Sequence, residues 1–343
     1  MRLPPAECEH GGVRWTVRRA WPEGDGHIVL EATSPDGRVR AGRLGADGIV
    51  LLEEGCDPRL PALTAAAAEG TVVSHRPGKR AVVRSADNGR FVKIVRPGRT
   101  AGILAGIERA ASFARWFRMP KVLDHDETTV TFAALAGTSL HDCAAFSAAE
   151  WDRAWAETAA AWARAVSGPE RGAVRWGAVH DSAAEAEVLR TWCERAAPLM
   201  GAERTGYAAA VEEAAADLCA PAVRDRVRRP SHRDLHDKQL LWDAAAGPGL
   251  LDADTACLAD PALDLGNLRA HALWRARQGV WTAERAATVL TRLREAGARE
   301  GVPPAATHLY ERAALLRLGC VYAFRPAWHE EAARLRQALV AAR

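Results

Sequence analysis

Three short blocks between residues 231 and 266 hold most of the side chains that can do chemistry. The first is Ser231-His232-Arg233-Asp234-Leu235-His236-Asp237-Lys238-Gln239-Leu240-Leu241-Trp242. The second is Gly249-Leu250-Leu251-Asp252-Ala253-Asp254, and the third is Asp260-Pro261-Ala262-Leu263-Asp264-Leu265-Gly266. The apolar runs Gln239–Trp242 and Gly249–Leu251 read as paired strands, so Asp234 and Asp252 fall on adjacent loops joined by a hairpin. Two carboxylates placed that way can flank one metal-bound phosphate group, and magnesium, a hard cation, takes oxygen ligands. Either aspartate alone reads equally well as an ordinary turn or cap residue. The ordered succession of the three blocks is what carries the signal.

The elements that must position these loops differ along the chain. Residues 1–70 read as a β-rich meander. Trp15–Trp21, Ile28–Ala32, Val39–Leu44 and Ile49–Leu52 are separated by turn signals at Pro35-Asp36-Gly37 and Gly45-Ala46-Asp47-Gly48, and a helix near Leu60–Glu69 closes the segment. Residues 71–135 follow the order three strands, helix, two strands. The strands are Thr71–His75, Arg80–Arg84, Phe91–Val95, Lys121–Leu123 and Thr128–Leu135. Leu104, Ile107 and Ala111 recur at helical spacing between Thr100 and Phe117. Residues 136–343 read as helical apart from the hairpin, and Ser147-Ala148-Ala149-Glu150 forms a capping box that opens a helix to about Val166.

The three blocks resemble the catalytic region of the aminoglycoside phosphotransferase and choline kinase-like family, which shares the protein-kinase fold. That family pattern runs His-x-Asp-x-x-x-x-Asn, a hairpin, an apolar pair before Asp, then Asp-Pro-x-x-Asp-Leu. Gln239 stands where the family has Asn. The resemblance implies an α+β bilobal fold: a small antiparallel-sheet N-lobe with one helix (71–135), a larger helical C-lobe (136–343), and an N-terminal β-rich addition outside the family core (1–70). It implies ATP and Mg2+, with Asp234 as the base that orients or deprotonates the attacking hydroxyl. Asp252 and Gln239 are implied as magnesium ligands, the latter through its longer amide. His236 either touches the γ-phosphate or fixes the loop, and His232 braces it. Asp254 is either a further metal contact or a solvated aspartate, and Asp264 caps a helix or ties it to the loop.

The same resemblance implies a phosphate-binding lysine on the third N-lobe strand, which Phe91-Val92-Lys93-Ile94-Val95 supplies, and a glutamate partner on the next helix, Glu108. No Gly-x-Gly-x-x-Gly is present. The turn His75-Arg76-Pro77-Gly78-Lys79-Arg80 is either a cationic cover for the phosphates, with Lys79 among its charges, or a plain hairpin turn. The segment 131–140 falls at the inter-lobe hinge, where the backbone of Ala134 and Ala136 would read the adenine edge.

The acceptor is implied to be the hydroxyl of a small molecule such as a sugar, antibiotic or other metabolite. Residues 253–259 are all that separates Asp252 from Asp260, too few for a peptide-binding platform. Trp274, Trp281, Tyr310, Tyr322 and Trp328 fall on the helices expected to line its pocket. Two alternatives stand beside this reading. One is a kinase acting on Ser or Thr of a ribosomal precursor peptide, with the N-terminal addition as its platform. The other is a catalytically silent kinase-fold binding module.

Composition fits a globular protein. Of 343 residues, 48% are hydrophobic and 26% charged, which excludes wholesale disorder. With 46 basic against 43 acidic residues the net charge is +3, too even to indicate nucleic acid as a partner. Seven scattered cysteines without a CxxC, no apolar leader and no membrane-length apolar run give the expectation of a cytoplasmic protein away from membranes.

Overall fold

The structure, a computed structural model, describes residues 3–23, 26–46, 48–167 and 178–342. Asp47 of the second turn signal lies outside them. Five strands open the chain: β1 (Glu7–His10), β2 (Val13–Pro22), β3 (Ile28–Thr33), β4 (Val39–Gly45) and β5 (Gly48–Leu51). They form an antiparallel meander in sequence order. In β2 the alternation buries Trp15 and Val17 and exposes Thr16 and Arg18. A bulge between Val17 and Arg19 then shifts the register against β3. β3 is buried along nearly its whole length, including Glu31 at 1% exposure. A short helix, α1 (Leu63–Ala68), leads into the next sheet.

The second sheet contains β6 (Gly70–Arg76), β7 (Arg80–Ser85), β8 (Arg90–Val95), β9 (Val122–His125) and β10 (Thr129–Ala133), in the order β6-β7-β8-β10-β9. It shares a core with the first sheet, in which Val39, Leu60 and Leu63 pack with Val72, Ala81, Val83 and Ile94. The single helix expected at Thr100–Phe117 is two, α2 (Thr100–Arg109) and α3 (Ala111–Ala114). The break has a packing cause. Ile103 of α2 stays with Val95 and Val130 of the sheet, whereas Phe113 of α3 turns into the core of the helical lobe.

A two-residue strand, β11 (Thr138–Ser139), crosses to that lobe. Its helices are α4 (Ala148–Ser167), α5 (Ser182–Ala196), α6 (Arg204–Cys219), α7 (Pro221–Arg224), α8 (Ala262–Arg277), α9 (Ala283–Arg299), α10 (Pro304–Val321) and α11 (His329–Ala341). Between α7 and α8 lie β12 (Arg229–Ser231), β13 (Leu240–Asp243), β14 (Gly247–Leu250) and β15 (Cys257–Ala259). β13 and β14 are the expected hairpin, with β11 on its edge. β12 and β15 are a three-residue pair that periodicity does not reveal. The capping box closes reciprocally: the Glu150 N–H donates to Ser147 Oγ at 3.2 Å, and the Ser147 N–H donates to Glu150 Oε2 at 2.9 Å. Among the described residues no helix is long and apolar enough to cross a membrane. The fold is therefore an α+β bilobal one with an added N-terminal sheet.

Candidate active site

A cleft of about 610 Å3 lies between the sheet lobe and the helical lobe. β8 carries Lys93 into it at only 8% exposure. A buried ammonium needs charged partners, and Lys93 has two. Its Nζ donates to Asp252 Oδ1 at 2.7 Å and also to Asp254 Oδ2. Burial alone pushes the Asp252 carboxyl up, but Lys93 and Arg80 outweigh it and hold the group well below the usual carboxylate range. Asp252 itself sits in the left-handed region at φ 56°, which turns the chain sharply into the 3-10 turn Ala253–Thr255.

The loop bearing Asp234 is held from below. Asp264, fully buried at the start of α8, accepts from Ser231 Oγ at 2.9 Å and from the backbone N–H groups of His232 at 3.0 Å and Arg233 at 2.8 Å. The Asn267 amide donates to the Arg233 carbonyl at 2.8 Å. These bonds fix Arg233 at φ 71°, a conformation an arginine adopts only when its surroundings over-determine it. His232 Nε2 lies 2.9 Å from the Leu251 carbonyl oxygen and so links the loop to the hairpin. Asp234 lines the cleft and has no hydrogen-bond partner among the described residues.

Beneath the loop lies a second charged layer. Asp237, 1% exposed, receives two hydrogen bonds from the Arg275 guanidinium, at 2.8 and 3.1 Å, and lies 2.5 Å from His141 Nδ1. Burial pushes its carboxyl up, but Arg275 and His141 pull it strongly down. His236 stacks on His271 with ring centroids 4.7 Å apart, and its amide neighbour Gln239 is 3.5 Å away. Burial, then the charge of His236, keeps the His271 imidazole well below its usual range, so it is neutral in the native state. The unfolded chain takes up that proton near pH 6.5. Below that value the unfolded state binds more protons, so stability falls as the pH falls, by up to about 1.4 kcal/mol per pH unit. Urea unfolding at pH 6.5 and 5.5 should show this loss, and His271→Leu should flatten the slope.

Several expected positions move. Glu108 is exposed and makes no ion pair among the described residues. The reason is the face α2 presents: Ile103 and Gly106 are buried, and Gly106 is pressed so closely on Asp254 that a Cβ there would stand 2.3 Å from the Asp254 carbonyl oxygen. With that face inward Glu108 points away, and Asp254 takes the place expected of it beside Lys93. Gly106→Ala should therefore lower stability by about 1–3 kcal/mol, as overpacking does, despite alanine's better helix propensity. Urea unfolding checks it, and an unchanged or raised midpoint would contradict the packing argument.

Lys79 is exposed and outside the cleft lining, whereas its neighbour Arg80 lines it. The turn is pinned from behind. Asp57 of the N-terminal addition accepts from the Gly78 N–H at 2.7 Å and lies 2.9 Å from His75 Nε2.

At the hinge the backbone is partly committed. The Ala134 N–H donates to the Gly89 carbonyl at 2.8 Å, and the Ala136 carbonyl accepts from Arg118 at 2.9 Å. Leu135 between them lines the cleft, and its N–H and C=O have no partner among the described residues. Of the expected acceptor aromatics, Trp274, Trp281 and Tyr310 are core residues, exposed by 0%, 2% and 3%.

Sequence reasoning missed Arg19. The bulge in β2 re-aims it, as bulges do, so that it lines the cleft. There it donates to Ser74 Oγ at 2.8 Å and to both Glu31 oxygens at 2.7 and 2.8 Å. No local pattern in the strand announces that bulge.

Asp252, Asp254 and Gln239 offer carboxylate and amide oxygens on one cleft wall, a donor set suited to magnesium.

No family model matches this chain, and no curated protein matches it in sequence. Solved structures do. The aminoglycoside phosphotransferase APH(3'')-Id from Streptomyces rimosus superposes with a TM-score of 0.53 at 20% identity, covering 76% of this chain and 96% of that one. The GDP and kanamycin complex of an APH(2'') enzyme gives 0.56 at 14% identity, covering 82% and 98%. The GDP complex of wild-type aminoglycoside 2'-phosphotransferase-IIIa gives 0.54 at 14%, covering 78% and 91%. At these identities the likeness is one of fold.

Proposed function

We propose that this chain, which has the fold of the aminoglycoside phosphotransferases, is an ATP-dependent phosphotransferase acting on a hydroxyl of a small molecule. The observation that carries the reading is the single cleft in which Lys93 is paired with Asp252 and Asp254 while Asp234 stands unpartnered beside them. Phosphoryl transfer asks little covalent chemistry of a protein; it asks for alignment and for positive charge around the phosphates.

The hinge backbone from the Ala134 carbonyl through Leu135 to the Ala136 N–H offers donors and acceptors to the adenine edge. Lys93 and Arg80 face the phosphates as cations. Asp234 accepts the proton of the acceptor hydroxyl as its oxygen bonds to the γ-phosphorus. The bond from that phosphorus to the bridging oxygen breaks, and ADP leaves with the bond's electron pair. Magnesium, which Asp252, Gln239 and Asp254 would hold, supplies charge neutralisation on the phosphates. The loop after Asp252 supports a small acceptor over a peptide, because residues 253–259 are spent on a 3-10 turn and on β15, which pairs with β12.

Incubation with γ-labelled ATP and a panel of hydroxylated metabolites tests the reading. The expected result is label on one acceptor, with slow release to water in its absence. Release to neither, in protein that binds nucleotide, would leave a binding module and overturn the enzymatic reading.

A further inference from the structure

The N-terminal sheet does more than cover the small lobe. Trp21, 7% exposed at the end of β2, is ringed by three guanidinium groups from three parts of the chain. Arg19 of the same strand lies 5.5 Å from the indole centroid, Arg76 of β6 at 5.1 Å, and Arg325 of the helical lobe at 5.2 Å. Arg325 also donates to the Ala20 carbonyl, which ties the sheet to the helical lobe. Among the described residues the one carboxylate in hydrogen-bonding contact with this group is Glu31. It is committed to Arg19 and to the His75 N–H, which donates at 2.7 Å. Among the described residues the Arg76 side chain has no hydrogen bond or ion pair, and its Nε is buried without a partner.

This excess of positive charge opens onto the catalytic cleft. Arg19 lines it from the N-terminal sheet, and Lys238, four residues after Asp234, lines it from the catalytic loop. Burial first, and then the neighbouring cations, hold both Arg76 and Arg325 down to about 10. The charge of Glu23 offsets part of this at Arg76. An indole can share three cations through its faces, but it neutralises none of them. A bound anion would.

We propose that the acceptor carries an anionic group, a carboxylate or a phosphate, held between Arg19 and Lys238 with Arg76 and Arg325 behind them. The inference rests on the phosphotransferase reading for the word acceptor; the anion site itself rests on the arginine cluster. It gives the added sheet a purpose, namely to supply the selectivity of the acceptor end of the cleft. It also sets this chain apart from enzymes that take polycationic antibiotics, since the same charges repel such a ligand.

The test uses the full chain and inorganic phosphate as probe, titrated calorimetrically with and without saturating magnesium and a non-hydrolysable ATP analogue. The analogue fills the positions of all three nucleotide phosphates. The expected result is millimolar phosphate binding that persists with the analogue bound. That binding should weaken about tenfold in Lys238→Gln, an exposed position that leaves the fold intact, and about tenfold in Arg19→Gln. Kanamycin should not bind. Phosphate binding that disappears when the analogue is present would show that the cluster serves the nucleotide, and would overturn the proposal. So would phosphate affinity unchanged in Lys238→Gln, or no phosphate binding at all. Failure of the analogue to bind, with phosphate binding intact and lost in Lys238→Gln, would instead sink the phosphotransferase reading and leave the anion site standing.

Discussion

Asp234→Asn is expected to slow phosphoryl transfer by between about 100-fold and 10,000-fold, the range that a positioned general base contributes. The substitution keeps the shape of the side chain and removes its charge and basicity. Because Asp264 and Asn267 hold the loop through Ser231, His232 and Arg233, its geometry does not depend on Asp234. Nucleotide affinity should therefore stay within a few-fold of wild type, and the loss should fall on kcat, as for a group that acts mainly in the transition state. Steady-state kinetics with ATP varied, together with a binding titration of Mg·ATP, separates the two effects. A rate near wild type would remove Asp234 from the role of base.

The second large effect is on stability. Asp237→Ala should cost about 3–5 kcal/mol, because it strands the Arg275 guanidinium in the interior without its counter-charge. Arg275 is 2% exposed, and its remaining partners are neutral, the Gln278 amide at 2.6 Å and the Tyr322 hydroxyl at 3.0 Å. Removing both charges together, as Asp237→Leu with Arg275→Met, should recover most of the loss, since a buried pair owes much of its attraction to the desolvation it offsets. Urea unfolding of the two single variants and the double variant tests this. If Asp237→Ala cost less than 1 kcal/mol, the pair would not be the anchor beneath the loop.

What could be read from the sequence depended on how local the cause was. The capping box at Ser147 and Glu150 is set by residues three apart, and it forms as read. The hairpin after Asp234 and the placing of Lys93 on the third strand of the second sheet follow from short apolar runs, and both are present. The partner of Lys93 was not legible. Whether Glu108 or Asp254 reaches it depends on which face of α2 meets the turn after Asp252, and the close approach of Gly106 to Asp254 decides that. At the hinge, sequence shows the segment but not which of its backbone groups are already paired. The Ala134 N–H and the Ala136 carbonyl are taken by two bonds from distant parts of the chain, to Gly89 and from Arg118. Arg19 was hidden for a similar reason. Strand alternation describes β2 up to Val17, and the bulge that follows is visible only once β3 is in place. Of the aromatic residues expected around the acceptor, Trp281 illustrates the commoner fate of tryptophan: it packs edge to face on Trp151 and Trp155 in the core of the helical lobe.

Thermal unfolding with and without Mg·ATP, on wild type and on Asp252→Ala, tests the central claim most directly. A ligand present at 100 times its dissociation constant stabilises the folded state by about 2.7 kcal/mol. The account predicts a midpoint raised by several degrees in wild type, dependent on magnesium, and no such rise in Asp252→Ala, where Lys93 keeps only Asp254. No shift with millimolar nucleotide, or an equal shift in Asp252→Ala, would contradict it.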